Sequence, residues 1–317
     1  MLNKIKHIHF IGIGSIGMSV LAGLLNARNF IISGSYIAKS DITQNLVEKG
    51  INLNIGHDSS NISNPGFVVY SATIDKNNIE LQTAIKKDIK SISRGQLLAE
   101  VSKLSKNSIA FSGTHGKTTT TSLLGFIFRE ADLNPVVISS GIISNFSNNI
   151  TDGYGLITIT ESDEYIQSFM HLQPDYSIIT NIDFDPMECY ANLEGLKNNF
   201  IKFTNQTKPK VILCCDDKTI KSINSGISTQ KKYYSIEKET DFYAKNIESQ
   251  NYKRCFTLNK EQKFQRPLPG KHNIQNLLPA IAISQEFDIN PEKIKNPLNK
   301  YHNVSRGYNY YQGSKWE

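Results

Sequence analysis

The sequence predicts an α/β protein built from two parallel-sheet domains, and two observations carry that prediction. Short β-branched apolar runs alternate with helix-like runs over the first hundred residues and again from about Ser105. Strands alternating with helices require crossover connections and a parallel sheet covered on both faces. In each series the first strand also runs directly into a glycine-rich turn that opens a helix. These turns are Gly12-Ile13-Gly14-Ser15-Ile16-Gly17 in the first series and Gly113-Thr114-His115-Gly116-Lys117-Thr118-Thr119 in the second. The first series therefore reads as an N-terminal Rossmann-like parallel-sheet domain over residues 1–104. The second reads as a central P-loop-type α/β domain over residues 105–306.

In the first series the expected elements are a strand over His7–Ile11, a helix over Gly17–Asn26 and a strand over Phe30–Ser33. A helix over Ile42–Lys49, a strand over Phe67–Tyr70 and a helix over Leu97–Leu104 follow. The second series begins with a strand over Ser108–Ser112 and a helix over Thr118–Glu130, then strands over Val136–Ser139, Leu156–Ile159 and Ser177–Thr180. A helix over Leu193–Phe203 and a strand over Val211–Cys215 complete it. After Lys231 the pattern changes to short polar-interrupted strands at Lys232–Ser235, Phe242–Ala244 and Phe256–Leu258, and then to one amphipathic helix over His272–Phe287.

Composition narrows the class. A chain of 317 residues suits two domains at about 150 residues each, and 39% hydrophobic with 20% charged residues is ordinary for a globular protein. The net charge of +6 comes from lysines and arginines scattered singly or in pairs, which fits a solvated surface rather than a nucleic-acid footprint. Phe10–Leu25, the most apolar stretch, is interrupted by Gly and Ser, so no transmembrane helix is expected. The N-terminus leads into a strand without a secretory cleavage pattern, and Cys189, Cys214, Cys215 and Cys255 lack C-x-x-C spacing. A cytoplasmic protein with reduced thiols is the expectation, with neither nucleic-acid nor membrane partners.

The first glycine turn has the context of a dinucleotide fingerprint, where glycines let the backbone approach a diphosphate at a helix N-terminus. The usual acidic residue for the ribose is missing at the end of the second strand, which reads Ser33-Gly34-Ser35-Tyr36. That weakens an oxidoreductase reading and leaves another diphosphate ligand open, beside the alternative that the glycines serve only close packing. The second turn is the stronger signal. Its backbone N–H groups suit phosphate oxygens, Lys117 suits the β- and γ-phosphates, and the Thr118 hydroxyl suits Mg²⁺. Its spacing is shorter than the common G-x-x-x-x-G-K-[ST] loop.

Together, GTHGKTTTT and GIGSIGMS resemble the Mur ligase family, on the branch that adds L-alanine to UDP-N-acetylmuramate. Further segments in the same order extend the resemblance from Ile5 to about Arg306: Gly56-His57 with Asn61, Tyr70-Ser71-Ala-Thr73, and Arg94 with Leu98-Ala-Glu100. Glu161-Ser-Asp-Glu164 with Ser168-Phe169 and His171-Leu172, Thr180-Asn-Ile-Asp183, and Pro269-Gly-Lys-His-Asn273 with Asn276 continue it.

The resemblance implies that Gly12, Gly14, Ser15, Ile16, Gly17 and Ser71 hold the UDP-sugar, and that Gly113, Thr114, His115, Gly116, Lys117, Thr118 and Thr119 surround ATP. It assigns His272, Asn273 and Asn276 to the adenine side, although both asparagines read equally as helix-capping residues. Lys117 and Glu161 become the catalytic pair, with Thr118 and Glu161 as Mg²⁺ ligands; a solvated acidic loop at Glu161, Asp163 and Glu164 is the alternative. The implied chemistry is ATP-dependent amide formation through an acyl phosphate in peptidoglycan precursor synthesis. A ligase that recycles peptide onto the same UDP-sugar and a noncatalytic nucleotide-binding remnant are the alternative readings.

Several positions depart from the family pattern. Pro186 follows Asp185 where a metal-site histidine is expected, Tyr36 replaces an aspartate, Ile166 replaces a carboxylate, and Gly307 follows Arg306 where a second arginine is expected. The family's C-terminal Rossmann-like domain is absent from this sequence, and residues 307–317 read as a remnant of the linker to it. The expectation is weak turnover by this chain alone, with a separately encoded C-terminal domain as a possible partner.

Overall fold

The structure is a computed structural model, and it describes residues 2, 5–139, 156–162, 169–184, 192–250, 253–259, 262–266, 270–298 and 301. The expectations at Asp163, Glu164, Ile166, Asp185, Pro186 and residues 307–317 lie outside these. The chain divides into two units, the first made of Met1–Ser105 with Tyr165–Leu172 and the second of Lys106–Glu164 with Gln173–Glu317. Tyr165–Leu172 falls within the range expected for the second domain but groups with the first unit, and its Phe169 and Leu172 are buried.

In the first unit β1 (His7–Ile11), β2 (Ile31–Tyr36), β3 (Asn52–Ile55), β4 (Phe67–Tyr70) and β5 (Ser91–Ser93) form a five-stranded sheet in the order β3-β2-β1-β4-β5. Every pairing is parallel. Helices α1 (Ile16–Ala27), α2 (Asp41–Glu48) and α3 (Ile79–Lys86) make the crossovers from β1 to β2, β2 to β3 and β4 to β5, a short 3-10 turn at Ser59–Asn61 lies between β3 and β4, and α4 (Arg94–Ser102) follows β5. The chain builds outward from β1 through β2 and β3, then returns to β4 on the other side. That reversal puts the switch point, where ligands of open α/β sheets bind, at the carboxyl ends of β1 and β4.

Local chemistry sets the helix starts. Ser40 forms a capping box with Thr43 at α2, and Ser93 forms one with Gln96 at α4. The second box starts α4 three residues before the apolar pattern would, at Arg94 rather than Leu97. The sequence expectation lacks β3, β5 and α3; Asn52-Leu-Asn-Ile55 and Ser91-Ile-Ser93 alternate polar with apolar residues and so lack the β-branched apolar run that marks β1 and β4.

The second unit holds a nine-stranded sheet, in the order β14-β13-β12-β11-β10-β9-β6-β8-β7. Its parallel part runs from β7 (Val136–Ile138) through β8 (Ile157–Glu161), β6 (Asn107–Ser112), β9 (Tyr176–Ile179), β10 (Lys210–Cys214) and β11 (Gln230–Ser235) to β12 (Phe242–Gln250). The polar-interrupted region folds as antiparallel pairs of β12 with β13 (Lys253–Leu258) and β13 with β14 (Gln262–Arg266). Strand β6 lies between β8 and β9, with Phe111 fully buried, and α5 (Lys117–Glu130) follows it. The remaining α-helices among the described residues are α6 (Leu193–Gln206), α7 (Lys218–Ile223), α8 (Lys271–Glu286) and α9 (Pro291–Leu298). On α5 Leu123, Leu124, Ile127 and Phe128 are fully buried, as are Leu277, Leu278 and Ile281 on α8. This apolar packing fixes the height of the α5 N-terminus above the sheet.

A buried polar network organises the first unit. Glu80 on α3 and His9 on β1 are both 0% exposed. The Glu80 carboxylate accepts hydrogen bonds from Ser35 Oγ (2.5 Å), Asn61 Nδ2 (2.5 Å), the Asp58 N–H (3.3 Å) and His9 Nε2 (3.3 Å). His9 Nδ1 meets Ser33 Oγ at 2.9 Å, and His57 Nδ1 lies 3.6 Å from the carboxylate. One side chain thus ties β1, β2 and the segment after β3 to α3. Burial pushes the Glu80 carboxyl up, but the hydrogen bonds from His9, Asn61 and Ser35 outweigh it and hold the group below the usual glutamate range.

A carboxyl depressed in the folded state stabilises the fold above its unfolded pKa, and the contribution disappears as pH falls through the folded value. Glu80→Gln keeps the shape and removes the charge, so at pH 7 it is expected to destabilise the first unit by about 2 kcal/mol. In thermal melts from pH 7 to pH 3 the gap to the unaltered protein should narrow toward acid; equal stability at pH 7 contradicts the assignment.

Candidate nucleotide-binding sites

The first glycine loop connects β1 to α1, and Gly12 takes a left-handed φ of +83°. The Gly12 and Ile13 N–H groups both donate to the Ser35 carbonyl, at 2.9 and 3.0 Å, which anchors the loop to the end of β2. Each glycine gives room to one side chain. A Cβ at Gly12 would lie 3.1 Å from Ser71 Cβ, one at Gly14 2.5 Å from the Tyr36 ring, and one at Gly17 2.9 Å from Arg94 Nη1. Ser15 is the N-cap of α1, but its hydroxyl donates to the Gly12 carbonyl at 3.3 Å instead of capping the helix. The N–H groups of Ile16 and Gly17 open the first turn and, by their place at a helix N-terminus, favour an anion. Ser71, at the end of β4, completes the floor, its N–H bound to the Ile11 carbonyl at 3.1 Å. The six residues expected around a UDP-sugar therefore gather at one end of one sheet. Tyr36 occupies the end of β2 where a dinucleotide site would carry its carboxylate.

The second loop connects β6 to α5. Gly113 has a φ of +130° and Gly116, the N-cap of α5, a φ of +83°. The loop is held from the segment after β9. Thr114 N–H donates to the Asn181 carbonyl (3.2 Å) and His115 N–H to Asn181 Oδ1 (2.8 Å), while Asn181 Nδ2 donates to the His115 carbonyl (2.9 Å). The Thr180 hydroxyl donates to the same carbonyl at 2.7 Å, and Thr114 Oγ1 accepts from Asp183 N–H at 2.9 Å. His115 Nε2 lies 3.8 Å from Asp183 Oδ2, with both side chains exposed. A Cβ at Gly113 would fall 2.3 Å from Thr180 Oγ1, so only glycine fits this approach. Lys117 folds back to donate to the Gly113 carbonyl. Residues Lys117, Thr118 and Thr119 form the first turn of a 14-residue helix whose N-cap has no side-chain bond. Their N–H groups are the donors such a turn offers to phosphate oxygens.

Glu161 ends β8 beside this loop: strand register sets it opposite Phe111, one residue before Ser112. It is buried, and Ser139 Oγ donates to its Oε1 at 2.6 Å. A buried carboxylate fixed by a hydroxyl differs from the solvated acidic loop kept as the alternative. The Ser112 hydroxyl, fully buried at the loop base, has no hydrogen-bond partner among the described residues. Helix α8 approaches from the other side. Its N-cap is Gly270, so neither Asn273 nor Asn276 is the N-cap residue of this helix. Asn276 instead packs on the loop, its Oδ1 2.4 Å from where a Gly116 Cβ would lie. Asn273 is buried and His272 is exposed, its ring against Gly270.

Asn181, Thr180 and Arg94 belong to segments that carry the resemblance but have no role implied by it, and Glu80 stands outside those segments. Asn and Thr are frequent throughout this chain, so their type carries no signal. The short spacing of the second loop was the usable clue, since a loop lacking residues needs outside support.

Comparison with known proteins agrees with this geometry. Residues 7–106 match the Mur ligase family, catalytic domain, and residues 111–284 match the Mur ligase middle domain. The chain is 35% identical over 314 residues to the UDP-N-acetylmuramate–L-alanine ligase of Fusobacterium nucleatum subsp. nucleatum, covering 97% of this chain and 66% of that protein. It is 37% identical over 320 residues to the enzyme of the same name from Pelagibacter ubique, covering 97% and 69%. The chain thus spans about two thirds of the length of the curated relatives it matches. In fold it is similar to the UDP-N-acetylmuramate-alanine ligase of Thermotoga maritima, with a TM-score of 0.84 at 24% identity over 95% of this chain and 69% of that one. It is similar also to the UDP-N-acetylmuramate:L-alanyl-gamma-D-glutamyl-meso-diaminopimelate ligase of Neisseria meningitides, with a TM-score of 0.86 at 22% identity over 95% and 100%. Two parallel-sheet units, each opening on a glycine loop at its switch point, and family matches over most of both identify the chain as a member of the Mur ligase family.

Proposed function

We propose that this chain carries the UDP-sugar-binding and ATP-binding units of a ligase that joins L-alanine to UDP-N-acetylmuramate. The observation that carries the reading is the pair of unlike glycine loops. The first lacks both a lysine and a ribose-binding carboxylate, which suits the diphosphate of a UDP-sugar. The second has Lys117 and Thr118 at the start of a long helix, which suits a triphosphate.

The residues divide the work. Amides at the start of α1, with the Ser71 hydroxyl nearby, hold the sugar diphosphate. Amides of the first turn of α5 and the Lys117 ammonium take the β- and γ-phosphates, and His272, Asn273 and Asn276 stand on the adenine side. Thr118 and Glu161 are hard oxygen donors, and the bond from Ser139 fixes Glu161, a set that fits Mg²⁺. That ion would screen the repulsion between the muramate carboxylate and the γ-phosphate. In the reaction a muramate carboxylate oxygen attacks the γ-phosphorus and ADP leaves. The amine of L-alanine then attacks the acyl phosphate carbon, losing a proton as phosphate departs and the amide forms. Catalysis of this kind rests on positioning and charge stabilisation.

Calorimetric titration tests the reading. The protein is expected to bind UDP-N-acetylmuramate and Mg-ATP but not NAD. Lys117→Ala should weaken Mg-ATP by roughly 10- to 100-fold, the value of a lost charge-assisted contact, and leave the UDP-sugar unchanged. NAD binding at the first loop, or no UDP-sugar binding, would contradict it. ADP release that requires L-alanine supports this branch, and release that requires the tripeptide acceptor instead supports peptide recycling.

The support given to the second loop makes a separate prediction. Asn181→Ala removes two hydrogen bonds to His115, and Mg-ATP affinity should fall by about 10-fold or more while UDP-N-acetylmuramate affinity holds. Unchanged Mg-ATP binding would show that the loop keeps its shape unaided.

A further inference from the structure

The middle glycine of the first loop faces an aromatic ring. In a G-x-G-x-x-G turn the first glycine serves the tight turn, the third serves close packing, and the second lets the backbone approach the phosphates. A side chain on Gly14 would therefore intrude on the space that a diphosphate needs. In this protein the Tyr36 ring already stands there: a Cβ at Gly14 would lie 2.5 Å from Cδ1, 2.6 Å from Cγ and 2.8 Å from Cε1. The carboxylate that a dinucleotide site carries at the end of β2 serves the ribose, whereas the tyrosine at that place reaches on to the loop itself.

The ring is held loosely. Tyr36 ends β2 and its carbonyl accepts from the Gly56 N–H at 2.8 Å, so the backbone is fixed and the ring moves by rotation about its side-chain torsions. Tyr36 is half-buried, residues 37–40 beyond it are exposed, and its hydroxyl makes no hydrogen bond among the described residues. Open space thus lies beside the ring, and no polar contact of its own keeps it over Gly14.

We infer that Tyr36 is a selectivity residue of the first loop, because its ring and the diphosphate compete for the space over Gly14. The inference rests on the UDP-sugar reading of that loop. A ligand with phosphates must displace the ring toward the exposed side of residues 37–40, so its affinity is scaled down by the fraction of protein in which the ring stands aside. A nucleoside without phosphates needs no such movement. The tyrosine therefore weakens the diphosphate ligand and leaves the nucleoside alone, the opposite of what a stacking platform for the base would do.

The test compares UDP with uridine on the full chain, by calorimetry or by displacement of UDP-N-acetylmuramate. Tyr36→Ala should tighten UDP by about 5-fold or more and speed its association, while uridine changes by less than about 2-fold. Tyr36→Phe keeps the ring and loses only a hydroxyl without a partner, so both affinities should stay within about 2-fold. Uridine binding reports that the first unit is folded in each variant. The unaltered protein gives an independent reading, which decides alone if Tyr36→Ala does not fold. Saturating UDP should raise nitration of Tyr36 by tetranitromethane, measured on its peptide, by about 3-fold or more, because the displaced ring meets solvent. Weaker or unchanged UDP binding by folded Tyr36→Ala, or nitration that UDP leaves unchanged or reduces, overturns the role of Tyr36 and leaves the UDP-sugar reading standing. Failure of the unaltered protein to bind UDP-N-acetylmuramate overturns both.

Discussion

A loop of four residues between a strand and the lysine that opens a helix can hold a phosphate chain only if something outside the loop dictates its shape. In this protein that something is the backbone of His115, gripped by Asn181 through its N–H and its carbonyl and by the Thr180 hydroxyl. The grip depends on β9 lying next to β6 in the sheet, and the pairing of Ser112 with Ile179 delivers Thr180 and Asn181 to the loop. Gly113 must then lack a side chain, because Thr180 stands where a Cβ would be. The buried faces of α5 and α8 hold the other side, bringing Asn276 onto Gly116. Side chains from neighbouring elements thus meet the needs of the loop backbone, and under the proposed function the first-turn amides of α5 face the phosphates.

The first loop obeys the same logic with other parts. Its amides are tied to the Ser35 carbonyl, and the Ser35 hydroxyl donates to buried Glu80, so the loop is coupled to the polar network under the sheet. Ser71, Tyr36 and Arg94 come from the ends of β4, β2 and the start of α4, and each faces one glycine. Both loops thus combine a motif visible along the chain with side chains that only the strand order brings near. Under the proposed function, that combination lets one architecture serve a diphosphate sugar in one unit and a triphosphate in the other with different charged groups.

How much of this was legible follows from where each signal lives. Alternation of strands and helices and the two glycine turns are local, so the two-sheet architecture and the motif residues from Gly12 to Gly17 and from Gly113 to Thr119 could be read directly. Glu161 and Asn276 needed the family resemblance to be noticed, and the structure then places them beside the second loop by strand register and helix packing. Asn181, Tyr36 and Glu80 act through contacts that span from 19 to 71 positions, distances at which a single sequence carries no pattern. Residues Asn273 and Asn276 illustrate the converse case. Their place at a helix start suggested capping, but the turn geometry set by Gly270 gives that position to the glycine.

The central claim is that the two loops are separate anion sites, each completed by side chains from neighbouring elements of its own sheet. Hydrogen exchange of the full chain in the presence of each ligand tests it most directly. UDP-N-acetylmuramate should slow exchange at the start of α1 and at Ser71 and leave the second loop unchanged, while Mg-ATP should slow exchange over Gly113 to Thr119 and at Asn181. Protection of the second loop by the UDP-sugar with none at the first, or protection of the first loop by Mg-ATP, would contradict the account.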